Sequence, residues 1–223
     1  VAIAMMLEKI KPTLKFKKAA IVFDAKNAAA VNVKTAAVDT LGKLGVQVTS
    51  VESVLSGDAD FRAQITKMRL AEPDIVIVDL TSNEKSLFVR QARDMGWKVK
   101  FFSGMLMEPR EFELSGGAVE GIIGVIPFMA SEDRPIVKRF TEWHRQKFNS
   151  DPAPYAALGY DNILIIADAL KRAGKVDREA LRNALATTKK VEGTAGYYTL
   201  NGSGDNTTPI VHFATFNKEC KIV

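Results

Sequence analysis

The sequence predicts an α/β fold built on a doubly wound parallel sheet. Short apolar runs rich in β-branched residues recur along the first half of the chain, and segments with helical spacing separate them. Glycine or proline marks the ends of several elements. A strand–helix–strand alternation of this kind requires right-handed crossovers and a parallel sheet that is covered on both faces.

The elements of this sheet follow in order from the start of the chain. A helix is predicted over residues 2–11 and ends at Pro12, because proline disrupts a helix interior. Strands are predicted at residues 19–23, 46–51, 75–78, 99–102 and 121–125. Helices between them are predicted over residues 28–44, from an Asp60 cap towards Pro73, and over residues 84–95.

The pattern changes after Pro127. Helices are predicted over residues 133–149, 154–173 and 177–187 with no strand between them, so they should cover a sheet that is mostly absent from this chain. Residues 196–204 have the composition of a hairpin, and residues 210–216 alternate as a strand. We therefore expect two domains: residues 1–126 completed by 205–223, and a helix-rich part of another lobe over 127–204.

Composition excludes several classes of protein. The 223 residues are 47% hydrophobic and 26% charged, which is ordinary for a globular domain. The net charge of +5 is modest, and the lysines near the start lack the aromatic platform of a nucleic-acid binder, so no nucleic-acid partner is predicted. Cys220 stands alone, so no internal disulfide can form. No apolar run approaches the ~20 residues of a membrane-spanning helix.

The sequence shows no pattern typical of a metal or cofactor site. His144 and His212 are far apart, and neither has a partner at metal-ligand spacing. Gly116, Gly117 and Gly121 precede a predicted strand, whereas a dinucleotide-binding loop must follow one. We predict no metal and no cofactor.

Ligands of doubly wound sheets bind outside the carboxyl ends of the strands. The loops at residues 23–29, 79–83 and 103–109 are therefore the candidate site. Asp24, Asp79 and Glu108 lie near these strand ends, but no histidine or metal site accompanies them, so we predict a binding protein without catalytic residues.

Several segments, in order and spacing, resemble the type I periplasmic solute-binding proteins of the leucine/isoleucine/valine ABC-transporter family. They are Ala19–Phe23 with Asp24, Gly57–Phe61, Pro73-Asp74 through Arg90–Arg93 to Gly96, Gly117–Gly121, Ala157–Asp161 and Ala167–Leu170. The resemblance implies one complete lobe and part of a second, with a small ligand bound between lobes. It also implies ABC permease subunits as partners, a periplasmic or extracellular location, and a signal peptide and N-terminal part that are not in this chain.

The resemblance implies particular ligand contacts, and this chain departs from them. A family tyrosine corresponds to Ala28, an aromatic position to Thr81 or Ser82, and the carboxylate that pairs with the ligand ammonium falls near Met105. We therefore expect an organic acid, for instance an aromatic carboxylate, rather than a plain amino acid. The predicted ligand-binding residues are Asp24, Asn27, Ala28, Thr81, Ser82, Asn83, Ser103, Gly104 and Met105.

Two alternatives use the same fold. One is the effector-binding core of a transcriptional regulator, and the other is a sensory ectodomain. A helix-turn-helix preceding this segment would indicate the regulator. An enzyme on a related sheet is disfavoured by the absence of a phosphate loop.

Overall fold

The computed structural model describes residues 2–106 and 110–217, with only the backbone of Met105 and Leu106. The helices are α1 Ala2–Leu14, α2 Ala28–Lys43, α3 Arg62–Leu70, α4 Ser82–Asp94, α5 Arg110–Leu114, α6 Pro135–Phe148, α7 Pro154–Ala173 and α8 Arg178–Ala186. The strands are β1 Lys18–Asp24, β2 Gln47–Val54, β3 Ile75–Asp79, β4 Lys100–Leu106, β5 Ile123–Ile126, β6 Val191–Gly193, β7 Gly196–Tyr198 and β8 His212–Thr215.

The chain divides into two compact units. The first contains the residues up to Val125 together with the segment from Phe213, and the second runs from Ile126 to His212. The expected domain limits, 1–126 with 205–223 and 127–204, differ mainly in assigning residues 205–212 to the first part. The identity of these units as lobes remains a prediction.

A six-stranded sheet in the order β2-β1-β3-β4-β5-β8 forms the centre of the first unit. The pairs β1–β2, β1–β3, β3–β4 and β4–β5 are parallel, as the alternating pattern predicts. The doubly wound α/β fold is thereby confirmed.

Apolar side chains cover the two faces of this sheet. Val76 and Val78 of β3 pack in one apolar cluster with side chains from α3 and α4. These are Phe61, the N-cap of α3, Ile65 of α3 and Phe88 of α4. Side chains alternate between faces along a strand, so Ile75 and Ile77 point to the opposite face. On that side α2 contacts β1, β2 and β3, and α1 contacts β4. Both faces of β3 are buried, which explains its uninterrupted apolar sequence.

Two predictions about helix ends were wrong. Helix α1 continues through Pro12 to Leu14, because a proline in the last turn removes only one N–H donor and Lys15 N still bonds to Lys11 O at 2.9 Å. Asp60 does not cap α3, since Phe61 is its N-cap. Instead Asp60 accepts hydrogen bonds from the backbone N–H and the guanidinium of Arg62.

The second unit combines α6, α7 and α8 with a small hairpin of β6 and β7. The prediction placed a hairpin at residues 196–204. The β6–β7 pairing begins earlier in the chain, but the chain also turns back within the predicted segment, where antiparallel bridges join Leu200 to Asn206 and Gly196 to Pro209. The predicted Asp177 cap of α8 is present, and its side chain accepts the N–H of Ala180 at 2.9 Å.

Asp161 of α7 holds the hairpin to the helices. Its carboxylate accepts hydrogen bonds from Thr194 N at 2.6 Å, Thr194 Oγ1 at 2.8 Å, Ala195 N at 2.8 Å and the Tyr198 hydroxyl at 2.8 Å. Burial, reinforced by this contact with Asp161, raises the pKa of Tyr198 well above 10.0. The phenol therefore stays protonated and remains a donor to the carboxylate.

Helix α7 also carries large apolar side chains that face away from this core. Ile163 is 66% exposed and Tyr155 is 55% exposed, while Ala157 on the opposite side is buried. That these helices cover a sheet outside the chain remains a prediction. In the described parts, residues 2–106 and 110–217, no helix has the length and hydropathy of a membrane span.

Candidate functional site

Three neighbouring parallel strands of the first unit end at one edge of the sheet. β1, β3 and β4 are adjacent in the sheet, and Phe23 of β1 lies beside Asp79 of β3 in the register. The predicted ligand-binding residues lie at the ends of these strands or directly after them, with Ser103, Gly104 and Met105 inside β4. The structure therefore brings the ends of the three strands to a common edge, as the fold class predicts.

The loop after β1 leads directly into α2. Asp24 is 4% exposed, and its Oδ1 accepts the N–H of Lys26 at 2.9 Å. Asn27 is the N-cap of α2 and accepts the N–H of Ala29 at 3.0 Å. Both side chains therefore have a role in the local structure. Ala28, the first residue of α2, is exposed at this edge.

The loop after β3 leads into α4. Thr81 is the N-cap, but its side chain makes no cap hydrogen bond and bonds to the carboxylate of Glu84 instead. Glu84 in turn accepts the N–H of Gly57 at 3.0 Å, which ties this loop to the loop after β2. Ser82 is partly exposed and donates to Oε1 of Glu111 at 3.2 Å, whereas Asn83 is exposed.

The end of β4 is more deeply buried than the other two. Ser103 is 0% exposed, and its hydroxyl accepts a hydrogen bond from Nζ of Lys85 at 3.1 Å. A Cβ atom at Gly104 would lie 2.6 Å from Cγ1 of Val33 and 3.1 Å from Oδ1 of Asp79, so the close packing here requires glycine. The side chain of Met105 and all of Glu108 lie outside the described residues.

Two buried charged residues at this edge were missed by the sequence analysis. Lys85 and Glu111 are both 0% exposed, and Nζ of Lys85 lies 2.9 Å from Oε1 of Glu111. A signal was present in α4, because Lys85 shares the spacing of the buried residues Phe88, Val89 and Ala92. A lysine on the apolar stripe of a helix indicates a buried partner.

Asp79, like Lys85 and Glu111, is a fully buried ionisable residue at this edge, where Asp24 is 4% exposed. Its side chain is fully buried, and neither carboxylate oxygen has a hydrogen-bond partner among the described residues. Burial raises its pKa from 3.8 to about 7, although the positive charge of Lys85 acts in the opposite direction. A buried carboxylate without a partner is costly, which makes this edge unlike an ordinary end of a sheet.

The arrangement offers hydroxyl groups and two helix N-termini. In residues 2–106 and 110–217 no group of three or more His, Cys, Asp or Glu side chains could hold a metal ion. His144 and His212 are both assigned to the second unit. The residues present are suited to hydrogen bonding with a small polar ligand.

The chain belongs to the periplasmic binding protein family, whose family profile matches residues 2–216. The family expected from the sequence motifs is thereby confirmed.

Curated relatives include branched-chain amino-acid-binding proteins. The chain is 28% identical over 173 residues to Leu/Ile/Val-binding protein homolog 1 of Brucella suis, a match that covers 76% of this chain and 45% of that protein. It is 30% identical over 148 residues to the leucine-, isoleucine-, valine-, threonine- and alanine-binding protein of Pseudomonas aeruginosa, covering 66% and 39%. The matches therefore span less than half the length of these relatives.

Solved structures show the same fold. The leucine-binding protein LivK of Thermotoga maritima superposes with a TM-score of 0.93 at 27% identity, covering 100% of this chain and 63% of that one. The substrate-binding protein LivJ of Streptococcus pneumoniae, solved with isoleucine, gives a TM-score of 0.87 at 23% identity, covering 99% and 62%. The second similarity concerns the fold alone.

Proposed function

We propose that this chain is part of a periplasmic or extracellular solute-binding protein that delivers a small carboxylate-bearing ligand to an ABC permease. Family membership supports the class of protein. The observation that carries the proposal is the common edge where β1, β3 and β4 end, because α2 and α4 both begin there. Helix N-termini favour anionic groups, and a carboxylate is such a group.

The same edge supports binding rather than catalysis. Its accessible groups are hydroxyls and amides of Asn27, Thr81, Ser82 and Asn83 beside the small side chain of Ala28. These groups hydrogen-bond to a ligand and leave its covalent bonds unchanged. The proposed protein is accordingly a carrier and not an enzyme.

Two kinds of ligand carry the proposed carboxylate: an aliphatic α-amino acid, and an organic acid that lacks the amino group. Relatives named for leucine, isoleucine and valine favour the amino acid, whose ammonium would need a negatively charged partner in the site. The side chains of Ala28, Thr81 and Ser82 are small and fill little of the space at this edge. That space favours a bulkier ligand and therefore the organic acid.

Calorimetry on the full-length protein tests the proposal and distinguishes the two ligands. Leucine, isoleucine, valine and a panel of aromatic acids including benzoate are titrated separately. A binding protein of this kind should bind at least one of them with a dissociation constant of about 1 μM, which corresponds to about 8 kcal/mol. Binding of leucine with no aromatic acid would eliminate the organic acid, and the reverse result would eliminate the amino acid.

A bulky substitution shows whether the ligand occupies the proposed edge. Ala28→Trp places an indole at the start of α2 and should weaken binding at least tenfold. Leu70→Trp adds the same side chain at the exposed last residue of α3, at the opposite end of that helix from the edge where the strands finish, and serves as the control. Equal affinity of the two variants, or no binding of any ligand to the folded wild-type protein, would contradict the proposal.

A further inference from the structure

The Lys85–Glu111 ion pair is completely removed from solvent. Its two side chains are 0% exposed, with Nζ and Oε1 2.9 Å apart. By contrast, in the Lys67–Glu52 pair of the same unit the lysine side chain is 71% exposed. The buried pair therefore differs in kind from the surface ion pairs.

Stability alone does not account for such a pair. Both charges lose their hydration, and their mutual attraction repays this loss only when additional hydrogen bonds are made. An apolar pair of similar volume is often at least as stable in such a position. A role in fixing the geometry of the surrounding segments is the alternative, and the contacts of the pair indicate which segments these are.

The pair joins α4, β4 and α5. Lys85 donates to the hydroxyl of Ser103 on β4 at 3.1 Å, while Ser82 at the start of α4 donates to Glu111 Oε1 at 3.2 Å. Ser86 donates to the backbone O of Glu111 at 3.2 Å, which secures the start of α5. Ser82 and Ser103 are both predicted ligand-binding residues, so the pair directly contacts a residue in each of two site segments.

We propose that Lys85 and Glu111 are positioning residues, which fix the segment after β3 relative to the end of β4 before the ligand binds. This inference rests on the proposed function. Ligand affinity is lowered by whatever ordering the site must undergo on binding, and a site that is already ordered avoids that cost. Removing the pair should therefore weaken binding even where the fold keeps its stability.

A double-mutant comparison in the full-length protein separates positioning from stability. The variants are Lys85→Met, Glu111→Gln and the apolar pair Lys85→Met/Glu111→Leu, with leucine and benzoate as calorimetric probes. Each single change leaves one charged or polar partner buried and should lower the melting temperature. The apolar pair should recover most of that loss and yet bind the active probe at least tenfold more weakly than wild type.

The exposed pair provides the matched control. Lys67→Met/Glu52→Gln removes an ion pair of the same type on α3 and β2 and should leave affinity within twofold of wild type. An apolar pair variant that binds with wild-type affinity would overturn the positioning role. If that variant fails to fold, Glu111→Gln, which keeps the shape of the side chain, is compared with wild type well below its own melting temperature, and wild-type affinity of Glu111→Gln would then overturn the positioning role.

Hydrogen exchange on the ligand-free proteins gives a readout that does not need the ligand. Hydrogen-bonded amides of residues 85–89 in α4 and 115–117 after α5 should exchange at least tenfold faster in the apolar pair variant, while those of residues 66–70 in α3 should be unchanged. Should wild type bind none of leucine, isoleucine, valine and the aromatic acids, the proposed function fails, and exchange alone then decides the matter. Unchanged protection of residues 85–89 and 115–117 would overturn the inference.

Discussion

Asp79 combines complete burial with a titration near neutral pH. Burial raises its pKa from 3.8 to about 7, so the folded state holds the proton more tightly than the unfolded chain does. The stability that this group contributes is thus fully present below about pH 4 and is lost as pH rises to about 7. Asp74 behaves oppositely, because hydrogen bonds from Lys17 N and Lys18 N lower its pKa.

Replacing Asp79 with asparagine should remove this pH dependence. Since one pKa unit corresponds to about 1.4 kcal/mol, the wild type should lose up to about 4 kcal/mol of unfolding free energy relative to Asp79→Asn between pH 4 and pH 8. Urea unfolding at several pH values measures the difference. Asp74→Asn is the control. The wild-type Asp74 carboxylate contributes stability that is lost as the pH falls, and this substitution should remove that contribution. Parallel pH profiles of wild type and Asp79→Asn would show that Asp79 does not titrate in this range.

Single residues explain where sequence reasoning succeeded and failed at the site. The edge itself was predictable, because Ile75–Val78 and its neighbouring strands carry an unmistakable buried pattern and parallel strands end together. The contacts of Ser82 and Ser103 were not, since Ser82 bonds to Glu111, which is distant in sequence and lies on a short helix, and Ser103 bonds to Lys85 of another element. Periodicity cannot detect a five-residue helix such as α5.

Among the elements, the β6–β7 hairpin depends most clearly on one side chain. Asp161 satisfies two backbone N–H groups and two hydroxyls of this hairpin, and Gly193 leaves space for it. A Cβ atom at Gly193 would lie 2.6 Å from Cγ of Asp161. The hairpin therefore cannot dock on α7 without both the carboxylate and the glycine.

Asp161→Ala should destabilise the second unit by about 3 kcal/mol, because several buried donors lose their acceptor at once. Asp168→Ala on the same helix removes only a partly exposed pair with Arg172 and should cost about 0–1 kcal/mol. Thermal unfolding monitored by circular dichroism compares the two variants. Similar melting temperatures for both would refute the anchoring role of Asp161.

Element boundaries show what local chemistry does and does not determine. The predicted limits of α7 agree with the observed Pro154–Ala173, because proline begins it and Gly174, with φ of 68°, ends it. Pro12 and Asp60 misled the prediction because each residue type is compatible with more than one local structure. Proline is tolerated in the last turn of α1, and Asp60 accepts hydrogen bonds from Arg62 without being the N-cap of α3. Such choices depend on contacts that a single sequence does not display.

At the scale of the whole molecule, the chain returns to its first unit after completing the second. Phe216 is 1% exposed and lies in the same apolar cluster as Phe88 and Phe101. Its ring packs 6.3 Å from that of Phe112, and its backbone O accepts the N–H of Gly121 at 3.1 Å. The last described segment thus completes the core of the first unit.

Phe216→Ala should therefore destabilise the first unit by about 3–5 kcal/mol, the usual cost of removing a buried phenylalanine ring. Phe213→Ala, at a partly exposed ring beneath Lys9, should cost clearly less. Urea unfolding followed by fluorescence of the buried Trp97, in a Trp143→Phe background, reports on the first unit. Equal costs for the two substitutions would contradict the assignment of Phe216 to this core.

The position of β8 beside β5 has a consequence for biosynthesis. The two strands are neighbours in the sheet, yet Ile126 ends one and His212 begins the other, so the whole second unit is translated between them. A nascent chain that has already assembled β1 to β5 exposes β5 as an edge strand until β8 has left the ribosome and paired with it. Unpaired edges attract other strands, so prematurely terminated chains should be the first to aggregate during expression.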